Sequence, residues 1–144
     1  PNWQLEPFPT TAQRMKVYEA SSVPLAERAA RGALEDADVA PSEVTHLVIT
    51  TCTGFFAPGP DILLSRRLGL PSIVERSILG FMGCYAGFTG MRSAAQILGS
   101  DPDAVVLLVS IELCTLHFQK RAEPDDNIRG RWVETGSPLK PRLP

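Results

Sequence analysis

The chain has 144 residues, of which 44% are hydrophobic and 21% charged, a balance typical of a folded domain rather than a disordered chain. A formal net charge of −2 gives no reason to expect a nucleic-acid partner or an anionic membrane surface. The longest apolar run, Ala104–Ile111, is too short to cross a bilayer and no secretory signal opens the sequence, so we expect a cytoplasmic protein without a membrane partner.

The N-terminal third predicts one helix and one strand. Pro1–Thr11 is polar and contains prolines, which favours irregular structure, and a start without methionine suggests that the natural N-terminus lies further upstream. From Val23, apolar residues recur at helical spacing, and Pro24 suits a first helical turn. The β-branched apolar run Thr45–Thr51 then predicts a buried strand.

A loop rich in glycine and proline, TGFFAPGP at residues 53–60, interrupts the regular pattern after this strand. Asp61 is a candidate N-cap for a short helix that ends at Gly69. Downstream, the sequence predicts a second strand, a helix of small residues and a third strand, at Ser72–Phe81, Cys84–Leu98 and Ala104–Leu113.

Strands and helices alternate along the chain, and the strands are continuously rather than alternately apolar. This pattern predicts an α/β layered fold whose sheet is covered on both faces. Residues 1–128 form the predicted domain. Residues 129–144 carry prolines and charges without an apolar run, and we expect them to be a disordered tail.

The three cysteines are an odd number at wide spacing, and the two histidines lie far apart. This pattern favours neither a disulfide scaffold nor a zinc site, so reduced thiols without a metal are the better interpretation.

Cys84 stands where the second strand is expected to give way to a helix. At a helix start, backbone N–H groups and the helix dipole favour a thiolate, and Gly83 lets the chain turn sharply while keeping access open. Small residues along the predicted helix indicate a central helix buried on most sides. Locally the pattern leaves two interpretations open, a catalytic nucleophile and a cysteine that acts as a small buried hydrophobe.

Three segments carry a longer resemblance: HLVITTCTGFFAPGPD, RRLGLPSIVERSILGFMGCYAGFTGMRSAAQI and VVLLVSIELCTLHFQ. Together they resemble the N-terminal half of bacterial-style, chalcone synthase-like type III polyketide synthases of the thiolase superfamily. The resemblance runs from about Trp3 to Ile128 and implies a truncated αβαβα layered fold and a homodimer. It also implies an acyltransferase without a resident cofactor, which loads an acyl-CoA starter on a cysteine and extends it with malonyl-CoA.

The same resemblance assigns roles to individual residues. Its GFMGCYAG segment makes Cys84 the nucleophile, and Ala57 would reach into the cavity of the partner subunit. Cys52 and Cys114 could equally be small core residues on sequence alone. The positions that the resemblance predicts to bind substrate are Cys52, Thr53, Ala57, Cys114, Leu116 and His117.

His117 could be taken as a base for Cys84, because cysteine–histidine pairs activate thiolates. The resemblance places it in the cavity wall instead and implies a catalytic histidine and asparagine in a later half. His46 receives no role, and Arg66 and Arg67 are expected to form a solvated helix face.

The resemblance ends after AEPDDNI, at Ile128, which suggests a fragment or an altered reading frame. We therefore expect this chain to be incomplete, inactive in condensation by itself, and to expose an apolar patch that its missing half would cover. Two alternatives remain, a condensing enzyme similar to β-ketoacyl carrier-protein synthase III and a non-catalytic remnant. The starter, the number of extensions and the product are not predictable from the sequence.

Overall fold

A three-stranded parallel sheet lies between helices in the computed structural model, which describes residues 9–118. The strands are β1 (His46–Thr51), β2 (Glu75–Gly80) and β3 (Val106–Ser110), in the order β2-β1-β3. The helices are α1 (Thr11–Asp36), α2 (Pro60–Leu68) and α3 (Ala86–Ser100), and short 3-10 turns occupy Pro41–Glu43, Gly83–Tyr85 and Cys114–His117. The predicted tail at 129–144 lies outside the described residues.

Side chains of β1 alternate between two differently built layers. Leu47 and Ile49 are fully buried in the apolar core that α1 and α2 form with the sheet. Thr50 faces the opposite side, where α3 crosses the sheet and Gly90 lies close to the Thr50 methyl group. Helices thus lie on both sides of a parallel sheet, which confirms the predicted α/β class. No helix among residues 9–118 is long and apolar enough to span a membrane.

Helix α1 begins twelve residues earlier than predicted, because Val23 lies in its middle (23 − 11 = 12). Thr10 caps it, since its side chain accepts a hydrogen bond from the Gln13 backbone N–H while the Gln13 side chain bonds back to Thr10. Pro24 therefore lies inside the helix rather than in its first turn. The first half was missed because its buried face includes polar residues; the buried positions recur every fourth residue at Arg14, Tyr18, Ser22, Ala26, Ala30 and Leu34.

Helix α2 also starts differently from the prediction. Gly59 is its N-cap and Pro60 its first residue, so Asp61 does not cap the helix and instead forms an ion pair with Arg76 at 3.2 Å. The predicted end is confirmed, because Gly69 adopts a left-handed conformation with φ 71°. The exposure predicted for Arg66 and Arg67 is also confirmed, although Arg67 pairs with Glu27 at 3.0 Å.

The prediction that both faces of the sheet are covered holds for β1 but is wrong for β2. β2 is an edge strand, and its first four residues, Glu75 to Ile78, are exposed. The prediction of a central helix buried on most sides is likewise wrong within residues 9–118, because α3 buries only Ala86 and Gly90. The outer face of α3 and the turn before it expose large apolar side chains, in agreement with the expected apolar patch: Tyr85 in the turn and Phe88, Met91 and Leu98 in the helix.

Candidate active site

Cys84 lies in the connection between β2 and α3, as the sequence predicts. β2 ends at Gly80, and Gly83 then adopts a left-handed backbone with φ 64°, which a glycine accommodates without steric penalty. Cys84 follows in the 3-10 turn that leads into α3 two residues later, and its side chain is exposed. The thiol is therefore accessible at the N-terminal end of a 15-residue helix, and it is not a buried structural cysteine.

Cys52 extends from the loop after β1 toward the same turn. Its thiol donates a hydrogen bond to the Gly83 carbonyl oxygen at 3.1 Å, and the side chain is half-buried. Burial raises the pKa of the Cys52 thiol, the nearby Glu112 carboxylate adds to this, and hydrogen bonds with the backbone of residues 81–83 partly oppose it. Cys52 is consequently a neutral thiol near pH 7, placed against the backbone that carries Cys84.

Glu112 connects the loops that follow β1 and β3. One carboxylate oxygen accepts the Cys52 backbone N–H at 2.9 Å, and the other accepts the Thr53 hydroxyl at 2.7 Å. Sequence reasoning missed this residue, because an isolated glutamate after a strand gives no motif. Two signals were available. Glu112 stands two residues before Cys114 in the resemblance segment. In the sheet, its offset of 60 residues from Cys52 equals the offset between paired residues of β1 and β3.

Thr53 is almost fully buried and forms the centre of this connection. Its hydroxyl also accepts the Leu113 backbone N–H at 2.8 Å, and its carbonyl oxygen accepts a hydrogen bond from His117 Nε2 at 2.6 Å. His117 is thus held against the loop after β1. His46 lies at the opposite end of β1 and contacts Thr45 and Glu75.

Tyr18 of α1 contacts the end of β1 and the loop that follows it. Its hydroxyl shares a hydrogen bond of 2.5 Å with the Thr51 hydroxyl, and its ring lies so close to Gly54 that a Cβ atom there would overlap it. The side chain is fully buried, and this burial raises the pKa of the Tyr18 phenol. Tyr18 was not recognised in the sequence, since its helical turn was assigned to no element.

The remaining predicted site residues are more peripheral. Ala57 is exposed in the loop between β1 and α2, where Phe55 is also exposed and stacks against Phe81 with ring centroids 6.0 Å apart. Cys114 is exposed in the turn after β3, and Leu116 is half-buried. The structure joins Thr53 and His117 by a direct hydrogen bond, links Cys52 and Thr53 through Glu112, and places Cys52 beside the Cys84 turn.

All three loops leave the carboxyl ends of parallel strands, which is where open α/β sheets bind their ligands. An exposed thiol near a helix start, next to a loop that Glu112 holds by two hydrogen bonds, is an arrangement suited to nucleophilic catalysis on an acyl donor.

Comparison with known proteins gives the family. The family model for the N-terminal domain of chalcone and stilbene synthases matches residues 1–131. The chain belongs to this family. The assignment confirms the resemblance found in the sequence, and the fold accordingly matches the N-terminal part of the thiolase-like fold of type III polyketide synthases.

Individual relatives agree with the family assignment. The chain is 35% identical over 119 residues to "Type III polyketide synthase C" of Arabidopsis thaliana, which covers 83% of the chain and 31% of the relative. Among solved structures, the C-terminal type III polyketide synthase domain of Steely1 from Dictyostelium matches with a TM-score of 0.76 at 33% identity, over 80% of this chain and 32% of that one. CsyB complexed with CoA-SH matches with a TM-score of 0.70 at 37% identity, over 75% and 30%. The chain therefore spans less than a third of each relative.

Proposed function

We propose that this chain carries the nucleophile of a type III polyketide synthase and that Cys84 accepts the starter acyl group from coenzyme A. The observation that supports this most directly is the exposed Cys84 thiol in the turn that leads into α3, beside the loop that follows β1. The Cys84 sulfur attacks the thioester carbonyl, a new carbon–sulfur bond forms, and coenzyme A leaves as its thiol. Malonyl-CoA units are then condensed onto the bound acyl group.

The neighbouring residues fit the wall of an acyl cavity. The half-buried Cys52 and Leu116 supply apolar surface, and Thr53 and His117 hold the wall in shape through their hydrogen bond. We propose that Cys114 completes this wall from the turn after β3. The exposed position of Ala57 suits a residue that contacts the partner subunit of a homodimer. The similarity to CsyB, a structure determined with CoA-SH, supports coenzyme A esters as the donors.

Chain extension makes a further demand, because decarboxylation of malonyl-CoA needs groups that stabilise an enolate. The two histidines of the chain are His46 and His117. His46 lies at the far end of β1, and Nε2 of His117 contacts the Thr53 carbonyl. We therefore propose that this chain accepts the starter on Cys84 without extending it, and that condensation belongs to the assembled synthase.

Intact-protein mass spectrometry after incubation with acetyl-, hexanoyl- and palmitoyl-CoA, with and without malonyl-CoA, tests this proposal. We expect one acyl group per chain from at least one donor, found in the tryptic peptide 77–92 that contains Cys84. Cys84→Ala should abolish the adduct, whereas Cys114→Ala should retain it, because Cys114 is an equally exposed thiol in another loop.

Folding of each variant is checked by far-UV circular dichroism before the acyl donors are added. Equal labelling of Cys84 and Cys114 would indicate unspecific thiol acylation and overturn the assignment. Transfer from an acyl carrier protein but not from coenzyme A would favour the carrier-protein synthase alternative, and a folded chain that takes no acyl group would favour a non-catalytic remnant.

A further inference from the structure

The loop after β1 brings a second thiol next to the proposed nucleophile. Cys52 Sγ lies 3.1 Å from the carbonyl oxygen of Gly83, the residue directly before Cys84. A trans peptide fixes the following Cα about 3 Å from that oxygen, so Cys84 Cα lies within about 6 Å of Cys52 Sγ. Because Cys52 Cα lies about 3 Å from its own Sγ, the two Cα atoms are at most about 9 Å apart. Disulfides join residues whose Cα atoms are about 4.4–6.8 Å apart, so a shift of the Cys84 turn by about 2 Å is the most that closure of the bond would require.

The two thiols have different surroundings. Cys84 is exposed in its turn, whereas Cys52 is half-buried and its thiol is engaged with the Gly83 carbonyl. An oxidant from solution therefore meets Cys84 first, and Cys52 is placed to react with the product. Cys114 is also exposed, but it belongs to the turn after β3 and serves as an internal comparison.

We propose that Cys52 and Cys84 form a reversible disulfide that removes the nucleophile from acyl transfer. Cys84 attacks a small-molecule disulfide such as oxidised glutathione, one glutathione leaves as its thiol, and a mixed disulfide remains on Cys84. The Cys52 sulfur then attacks the Cys84 sulfur, loses its proton and releases the second glutathione. Two protein thiols are oxidised and one small disulfide is reduced to two thiols, so atoms and electrons balance. The consequence for acyl transfer rests on the function proposed above; the disulfide itself does not.

The backbone at Cys52 is held more firmly than the backbone of the turn that contains Cys84. The Cys52 N–H is held by Glu112 at 2.9 Å, so the loop after β1 can stay in place while the Cys52 side chain turns away from the Gly83 carbonyl. The remaining movement falls on the turn at Gly83, a residue that has access to more backbone conformations than any other. Closure of the bond therefore requires rearrangement of one exposed turn rather than of the sheet.

Trypsin separates the three cysteines into different peptides, which makes the test direct. Cys52 falls in residues 32–66, Cys84 in 77–92 and Cys114 in 93–120. The folded chain is incubated with oxidised and reduced glutathione at varied ratios, alkylated, and analysed by non-reducing mass spectrometry. We expect a monomer that has lost two hydrogen atoms in mass, a cross-linked peptide of 32–66 with 77–92, and recovery of both thiols with dithiothreitol.

Two variants sharpen this test. Cys52→Ser removes the resolving thiol, so Cys84 should retain one glutathione and no cross-linked peptide should form. Cys114→Ser should form the same cross-link as the unaltered chain at the same glutathione ratio. Circular dichroism shows whether each variant has the same fold as the unaltered chain. The deciding measurement is the cross-link in the unaltered chain, which needs no substitution.

Several outcomes would overturn the proposal. These are a stable mixed disulfide on Cys84 without a cross-link in the unaltered chain, a cross-link that involves the peptide of Cys114, and a cross-link found only in dimers. The proposed function can fail independently of the disulfide. In that case the chain would form the Cys52–Cys84 disulfide with oxidised glutathione, but the reduced chain would accept no acyl group from acyl-CoA.

Discussion

On the side of the sheet that α1 and α2 cover, Leu47, Ile49 and Leu64 are fully buried in one continuous apolar core. On the other side, α3 buries only Ala86 and Gly90 against the sheet. Its outer face exposes the side chains of Phe88, Met91 and Leu98, and Tyr85 in the turn before it is exposed as well. Apolar content alone therefore does not determine burial. α1 and α2 pack against each other as well as the sheet, whereas within residues 9–118 the main contacts of α3 are with the sheet and with the preceding Gly83–Tyr85 turn.

The largest expected effect comes from comparing a buried leucine of α2 with an exposed leucine of α3. Leu64→Ala in α2 should lower the free energy of unfolding by about 2–5 kcal/mol, because it removes buried methyl groups and leaves a cavity. Leu98→Ala in α3 should change it by less than about 0.5 kcal/mol, because the side chain is 47% exposed. Urea unfolding followed by circular dichroism measures both values.

Similar losses of unfolding free energy for the two variants would contradict the difference between the two sides of the sheet. They would mean that the α3 face is covered in solution, and repeating the measurement at two protein concentrations would reveal whether a second copy of the chain covers it.

A smaller effect is expected from two glycines of α3. A Cβ at Gly90 would lie 2.7 Å from a Leu108 methyl carbon and 2.8 Å from the Thr50 methyl carbon, so Gly90→Ala should destabilise the fold by about 1–3 kcal/mol. Gly99→Ala meets no atom within 4 Å and should stabilise the helix by up to about 1 kcal/mol. Thermal unfolding should shift the melting temperature down for Gly90→Ala and up for Gly99→Ala, because α3 packs closely on the sheet at Gly90 and is open at Gly99. Stabilisation by both substitutions would show that α3 packs more loosely at Gly90.

The smallest effect is a pH dependence on the α1 side. Because burial raises the pKa of Tyr18, its contribution to stability is complete below the unfolded value of about 10 and is lost as the pH rises through the folded value. The slope attributable to Tyr18 is at most about 1.4 kcal/mol per pH unit.

Tyr18→Phe should remove this slope. It should also lower the free energy of unfolding by about 1 kcal/mol at every pH, because the hydrogen bond with Thr51 is lost. Urea unfolding of both chains between pH 8 and 11 measures the difference, in which the raised pKa of Cys52 cancels because both chains retain it. If the free energy of unfolding depended on pH in the same way for the two chains, the pKa of Tyr18 would be the same in the folded and the unfolded chain.

The sequence predicts the three strands and the helix order well, because continuous β-branched runs and glycine stops are local signals. It fails for the first half of α1, where Arg14 and Ser22 occupy buried positions, and for Asp61, which pairs with Arg76 rather than capping α2. Burial of α3 was also mispredicted, since small residues show how closely a helix can pack but not whether a neighbour is present.

For the candidate site, the position of Cys84 could be predicted from the strand–glycine–helix pattern. The contact of Cys52 with Gly83 and the role of Glu112 could not, because both join residues more than 30 positions apart. The roles of Cys52, Thr53, Ala57, Cys114, Leu116 and His117 in substrate binding stay predictions, and the acylation and oxidation experiments address the thiols among them.

The constant 60-residue offset between β1 and β3 has a consequence for the order in which the chain folds. Thr50 bonds Ser110, Cys52 bonds Glu112 and Thr53 bonds Leu113, so the loop after β1 depends on a strand synthesised much later. Contacts this distant in sequence form slowly, because a long loop must close before they are gained. During synthesis β1 can pair with β2 well before β3 is made, so the loop after β1, with Cys52 and Thr53, gains its contacts with Glu112 and Leu113 later than β1 gains its first partner.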